Sequence, residues 1–273
     1  MNSKFKKVVL VIILIVFLFF LFNPSPNSHR IDIVGSTSIQ PLSEELANTY
    51  SKSHSNVLIN VQGGGTGMGI RATQQEITDI GMSSTNLTAE DKKSLITTLK
   101  LGEEGIAVCV NNKNNVSSLT NEQIKDIFSG KINNWKDVGG SDSKIHIISR
   151  EDGSGTLIAF ENSFMEGDKV DRYAITQGST KSIEQSVAND DKAIGYCSNA
   201  TVTDNVRKLM LSVEPKRPFQ FLIHDHENRY VKDFLTWVFS PEGMEIVKHN
   251  KIIPPNDKEL EDIRNTINDI SVY

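Results

Sequence analysis

A chain of 273 residues with 38% hydrophobic and 23% charged residues is long enough for one large or two ordinary domains, with an apolar core that needs no staples. Its formal net charge is −5, and the first 22 residues hold three of the 29 basic residues and none of the acidic ones, so the remainder is more acidic still. That balance excludes nucleic acid as a partner class, because Arg207, Lys208, Lys216 and Arg217 bracket apolar segments rather than forming a basic run.

The chain begins as export architecture: Lys4, Lys6 and Lys7 precede an unbroken apolar run from Val8 to Phe22, which ends in Asn23-Pro24-Ser25-Pro26. The run is at the upper limit of a signal-peptide core and short of the roughly 20 residues of a spanning helix. No small-x-small cleavage site follows it, and no cysteine stands nearby for a lipid anchor. An uncleaved anchor with its N-terminus inside is therefore favoured over a cleaved signal. Either fate makes the protein extracytoplasmic, anchored at the cell surface by residues 8–22 or secreted, and residues 1–27 are its signal or anchor and linker.

Beyond the linker, Arg30–Gly35 reads as a strand and Ser36–His54 as a capped helix with apolar residues at Ile39, Leu42, Leu46 and Tyr50. Val57–Gly65 is a second strand, with a helix opening at Thr66. Thr78–Thr85 is a third strand that breaks into a turn, and the acids after Thr88 mark another helix start. Strand, Gly/Ser/Thr turn and helix thus recur three times, which argues for parallel strands with helices packed on their faces. Gly105–Asn111 is apolar enough to be a strand covered on both faces. A helix follows from Leu119, then a loop from Ile132, a strand over Lys144–Arg150 and a helix from Gly155. Helix and strand come again between Ser179 and Ser198, and Pro218–Asp225 is one more strand. Two helices separated by Ser240-Pro241 follow, serine as cap and proline at the first helical position. After Asn256 the chain is polar and helical, with no function assigned.

Several residue types invite chemistry that their surroundings do not support. Cys109 and Cys197 lie in apolar strands without metal-ligand spacing and read as buried, unpaired small hydrophobes; a disulfide requires the two strands to be neighbours. His224 and His226 in "HDHE" lack a third ligand and read as solvent-facing. Arg71 reads as a surface charge, and Trp135 and Trp237 as core or surface packing. Asn86, Asn115 and Asn199 begin glycosylation-type triplets, a pattern that arises often by chance. No metal site, no cofactor and no catalytic residue are expected, since an activated nucleophile and a metal cluster are both missing from the sequence.

Four turns share one design: "GSTS" at 35–38, "GGGTG" at 63–67, "GMSST" at 81–85 and "DGSGT" at 152–156. Each follows a strand and precedes a helix or helix start, so glycine admits a ligand close to the backbone and the hydroxyls join the free amides of a first helical turn. In an open α/β sheet such turns gather at the carboxyl ends of the strands, where ligands bind. They match neither a Walker loop, nor GxGxxG, nor a GxSxG elbow. One helix end contributes only about 0.3–1 kcal/mol, whereas micromolar affinity needs roughly 8 kcal/mol. Several turns and a buried cation must then converge on one anion. Arg150 is the natural cation, with Asp152 to hold it.

Taken together, "IVGSTSIQPL", "GGGTGMGI", "DIGMSSTNL", "SREDGSGT", "AIGYCS" and "FSPEGMEIV" resemble the phosphate-binding proteins of high-affinity phosphate ABC transporters, from about Arg30 to Pro255. The resemblance implies an α/β, two-lobed periplasmic-binding-protein fold with a mixed, mostly parallel sheet in each lobe and a hinge of two crossings, near Glu103–Val108 and Glu214–Phe221. Lobe 1 would comprise residues 28–104 plus 218–273, and lobe 2 residues 105–217. It implies that Thr37, Ser38, Thr66 and Ser84 bind phosphate from one lobe and Arg150, Ser154, Gly155 and Thr156 from the other, supported by Ser36, Gly65, Ser83 and Asp152. It also implies a monomer that delivers phosphate to ABC permease subunits and touches the membrane through its N-terminal segment. At Ser84 the chain departs from members that carry an aspartate there to accept the proton of hydrogen phosphate. Sulfate or another tetrahedral oxyanion, and an anchored phosphate sensor or adhesion module, remain alternatives.

Overall fold

Strand β1 (His29–Gly35) buries Ile31 and Ile33 completely while its intervening residues face outward, the period-two pattern of a strand with one face on a core. The computed structural model to which it belongs describes residues 29–91, 96–212 and 214–273. The apolar run Val8–Phe22 lies outside the described residues. Among the described residues no helix is long and apolar enough to cross a membrane.

From β1 the chain enters α1 (Gln40–Ser53), which buries Leu42, Leu46 and Tyr50 at fourfold spacing and starts with Pro41 in its first turn. It returns in β2 (Val57–Gly63), parallel to β1. Helix α2 (Thr66–Gln74) leads to β3 (Ile80–Ser83), parallel to β1 on its other side. The helix expected after Thr88 reaches into residues 92–95, outside the described residues; residues 89–90 form a turn.

Strand β4 (Thr97–Asn111) is much longer than the apolar stretch suggested. Its first half pairs antiparallel with β9 (Lys216–Ile223), with an irregularity between Lys100 and Gly102. Its second half pairs antiparallel with β7 (Ala193–Ser198) and β8 (Val206–Lys208). Between β4 and β7 the chain forms α3 (Asn121–Phe128), β5 (His146–Arg150), α4 (Gly155–Phe160) with one π-helical turn after it, β6 (Ile175–Gln177) and α5 (Thr180–Asn189). The resulting nine-stranded mixed sheet runs β2-β1-β3-β9-β4-β7-β5-β6, with β8 beside β4. Parallel pairs occupy its flanks, and antiparallel pairs occupy its middle, where β4 and β9 join the halves.

The apolar cores divide at that middle. One core gathers Ile31, Ile33, Leu99, Leu101, Phe219 and Phe221 under the C-terminal helices. A second gathers Val108, Phe128, Trp135, Phe160 and Tyr196, and a smaller third lies around Cys109, Ile148 and Ile183. Leu101 of β4 belongs to the first core and Ile106 to the second, so the strand passes from one packed unit to the other within a few residues.

The C-terminal region completes the first unit. Helices α6 (Arg229–Val238) and α7 (Pro241–His249) are separated by Ser240, whose hydroxyl accepts from Gly243 N–H. The tail after Asn256 is structural: α8 (Asp257–Asp269) opens with a capping box between Asn256 and Glu259 and buries Ile263 and Ile267. It ends in β11 (Ser271–Val272), paired with β10 (His226–Glu227). Sequence reading placed both histidines of "HDHE" in solvent. His226 is exposed, but His224 is buried and its ring bonds the Thr73 carbonyl. Pairing of β10 with the tail covers Glu227 as well.

Candidate functional site

The hydroxyl-rich turns after β1, β2 and β3 meet the turns that open α4 and α5 in the seam between the two units. Ser36, Ser38, Thr66, Ser84, Ser154, Thr156 and Thr180 are all buried there, and Thr37 is half-buried. Such density of buried hydroxyls needs internal partners, and it has them. Ser38 Oγ lies 3.0 Å from Thr156 Oγ1 and 2.9 Å from Thr180 Oγ1, linking the first unit to the second. Ser36 Oγ donates to Ser84 Oγ at 2.9 Å, and Ser84 N–H donates to Thr66 Oγ1 at 3.1 Å. Thr37 Oγ1 accepts from Thr180 N–H at 3.3 Å.

Local geometry keeps several of these hydroxyls out of ordinary capping work. Sequence reading made "STS" the cap of α1. Instead the N-cap is Ile39, in helical conformation without a side-chain bond, and Ser36 carbonyl accepts from Ile39 and Gln40. The Ser36 hydroxyl still accepts from Ser38 N–H at 3.3 Å while it donates into the seam, and the Ser38 hydroxyl is turned into the seam. At α2 the cap is Gly65, with φ of +86°, a left-handed conformation that glycine adopts without strain. Ser154 differs: its hydroxyl caps α4 by accepting from Leu157 N–H. Ser83 also serves its own turn, donating to Thr85 carbonyl at 2.8 Å.

At Gly155 the two units approach closely. A Cβ there would stand 2.3 Å from Thr66 Oγ1 and 2.5 Å from Ser84 Oγ. Gly67 N–H also donates to Gly153 carbonyl across the seam at 2.9 Å. This arrangement of the units is shut, with hydroxyls of one unit in direct contact with those of the other.

The cation at the centre of the cluster is Arg217, a residue sequence reading set aside. Only 3% exposed, it donates from Nη1 to Thr156 Oγ1 at 2.8 Å and to Ser84 Oγ at 3.3 Å, and from Nη2 to Ser38 Oγ at 3.1 Å. Glu104 is its register partner on β4, and the Arg217 Nε–H donates to Glu104 Oε1 at 2.6 Å. The other carboxylate oxygen of Glu104 accepts from Ser198 Oγ at 2.9 Å and Ala200 N–H at 3.2 Å. The signal was present in strand phase: Arg217 shares its buried face with Phe219 and Phe221, and an arginine in that phase demands an acid opposite it.

Arg150 is buried too, at 4% exposure, but stands one step back. Its Nη1 donates to Thr180 Oγ1 at 3.3 Å, and that hydroxyl bonds Ser38. The carboxylate expected to hold it was Asp152; the structure uses Glu151, in a two-pronged pair at 2.8 and 2.7 Å. The chain turns after Arg150, with Ser154 N–H bonded to Glu151 carbonyl. That turn puts Asp152 in solvent and lays the longer Glu151 beside the guanidinium.

Chemically, the seam is a dense set of hydroxyls and helix N-termini backed by two arginines, each neutralised by its own glutamate. Such a set can surround an oxyanion with hydrogen bonds rather than with net charge. Among the described residues no group of three or more His, Cys, Asp or Glu side chains is arranged to hold a metal.

Comparison with known proteins gives the family of the chain. The PBP superfamily domain matches residues 23–242. The phosphate-binding protein PstS of Bacillus subtilis is 31% identical over 195 residues, covering 70% of this chain and 64% of that protein. PstS of Staphylococcus epidermidis is 30% identical over 242 residues, covering 77% of this chain and 74% of its own. The phosphate-bound structure of a candidate phosphate ABC transporter substrate-binding protein from Clostridium perfringens superimposes with a TM-score of 0.80 at 31% identity, covering 84% of this chain and all of that one. An ABC-type phosphate transport receptor from Vibrio cholerae gives a TM-score of 0.68 at 31% identity, over 82% of this chain and all of that one.

Proposed function

Because the chain belongs to the PBP superfamily and, within it, to the family of PstS phosphate-binding proteins, we propose that it captures inorganic phosphate in the seam between its two lobes and delivers it to an ABC permease. The observation that carries this reading is Arg217, which bonds Ser38 and Ser84 of one unit and Thr156 of the other at once. A buried guanidinium among hydroxyls whose hydrogens can rotate is an anion receptor needing no further cation. It is a binding protein and not an enzyme.

In this reading Ser38, Thr66, Ser84, Thr156 and Arg217 touch the phosphate oxygens. Thr37, Arg150 and Thr180 support them from the side, and Gly155 lets the second lobe come close. Ser36, Gly65, Ser83 and Ser154 shape the turns. The lobes are residues 28–104 with 218–273, and residues 105–217. Their hinge is the antiparallel pair β4–β9, where Glu104 faces Arg217. Phosphate favours the shut form because only there do donors from both lobes reach it, a bias on a pre-existing equilibrium. The protein acts outside the cytoplasm as a monomer, held at the membrane by residues 8–22.

Titration calorimetry of the full chain with phosphate tests the reading. Saturable one-to-one binding that is lost when Arg217 is replaced supports it. Equal binding by wild type and an Arg217 variant that remains folded overturns the assignment of the site.

A further inference from the structure

Cys109 on β4 and Cys197 on β7 take no part in the anion site, yet their sulfurs lie 2.9 Å apart, both completely buried. In the antiparallel register Cys109 stands opposite Gly195, and Cys197 stands opposite Ala107. Each cysteine therefore faces a minimal side chain, and the two sulfurs lean toward one another along the diagonal between those pairs. Gly195 is itself required: a Cβ there would come within 2.9 Å of methyl groups on Ile183 and Val187 of α5. That helix closes over the same face, so the sulfurs are packed together among Ile148, Ile183, Val187 and Ala193. A disulfide has an S–S length of about 2.05 Å, so bonding asks each sulfur to move by only about half an ångström.

We propose that Cys109 and Cys197 are a modification site: a cross-strand disulfide that forms after export and ties β4 to β7. Each thiol loses its hydrogen as a proton and the S–S bond forms. The two electrons pass to the disulfide of an extracytoplasmic thiol–disulfide exchange oxidant, which becomes a dithiol. The Cys109 hydrogen bond and burial push the Cys197 thiol well above its usual range, which makes it a poor nucleophile once folded. Exchange thus belongs to the folding chain, before α5 seals the pair, and the finished bond is shielded from reductants. Its placement has a consequence for the seam. Ser198, next to Cys197, donates to Glu104 on β4, and Glu104 holds Arg217. The bond therefore braces β4, which carries the carboxylate beneath the central arginine, against β7, whose Ser198 holds that carboxylate.

The proposal rests on export and core geometry and not on phosphate binding, so either can fail alone. The experiment uses the wild-type full chain, purified from exporting cells without reductant, unfolded in guanidinium and treated with iodoacetamide before peptide mapping. The expected result is no alkylation of either cysteine and one linked peptide pair containing both, with full alkylation of both only after prior reduction. Alkylation of both cysteines without reduction overturns the proposal, as does linkage of either to any other thiol. As a second readout, reductant added during unfolding is expected to lower the denaturant midpoint of the wild type but not that of Cys109→Ser/Cys197→Ser. An unchanged wild-type midpoint counts against the bond.

Discussion

Replacing Arg217 by methionine separates what the arginine does for the fold from what it does for the anion. Methionine keeps the aliphatic packing but removes every guanidinium bond. Glu104, 2% exposed, then loses its 2.6 Å partner while remaining in the interior. Breaking one side of a buried pair typically costs about 3–5 kcal/mol, which for a chain of this size lowers Tm by roughly 6–20 °C. Adding Glu104→Gln removes the stranded charge, while the amide oxygen can still accept from Ser198 and Ala200. Arg217→Met/Glu104→Gln is therefore expected to recover most of the lost stability. Binding should behave differently. Two charge-assisted bonds to an anion, at about 1.5–3 kcal/mol each, give a loss of roughly two to four orders of magnitude in affinity. That loss should be the same in the single and the double variant. Thermal unfolding and phosphate calorimetry on the three proteins separate the effects. A double variant that is stable and binds phosphate like the wild type would refute the reasoning.

Three further outcomes are expected. Gly155→Ala should melt close to the wild type but bind phosphate at least about tenfold more weakly, because the new methyl group meets Thr66 and Ser84 only when the lobes are shut; unchanged calorimetry would show that the approach at Gly155 is not needed. Arg150→Met should weaken binding less than Arg217→Met, since Arg150 reaches the seam only through Thr180; the reverse order in affinity would exchange the roles of the two arginines. Burial pushes the Glu227 carboxyl up from 4.5 to about 7, so folding favours its protonated form. Its stabilisation is complete below pH about 4.5 and is lost as pH rises through about 7, a difference on the order of 3 kcal/mol. Glu227→Gln should flatten that fall in melts between pH 5 and 8, and an identical pH profile in the variant would contradict it.

Much of the architecture was legible because strands and helices of this chain carry clean periodicities. Ile31 and Ile33 alternate with half-buried residues, Leu42, Leu46 and Tyr50 recur at helical spacing, and Ser240-Pro241 and Asn256 mark helix starts that the structure uses. The four Gly/Ser/Thr turns were legible as a set, since strand-end turns of parallel strands share one end of a sheet. Other features depended on pairing across the chain. The first half of β4, "TTLKLGEE", has weak apolar character and becomes a strand through β9, its antiparallel partner more than a hundred residues later. Arg217 looked like one of several scattered charges until that pairing set Glu104 opposite it. Asp152 and Glu151 are equally plausible partners for Arg150 in one dimension; the direction of the turn after Arg150 decides between them. The cysteines are buried free thiols, as their apolar strands imply; that they stand side by side was not legible, because nothing local states that β4 and β7 are neighbours.

A crystal structure of the phosphate complex tests the central claim most directly. The expected result is a single phosphate in the seam, its oxygens about 2.7–3.1 Å from donors of both lobes, with Ser38, Thr66 and Ser84 on one side, Thr156 on the other and Arg217 between them. Phosphate bound to one lobe alone, or with Arg217 out of hydrogen-bond reach in the shut form, would contradict the account.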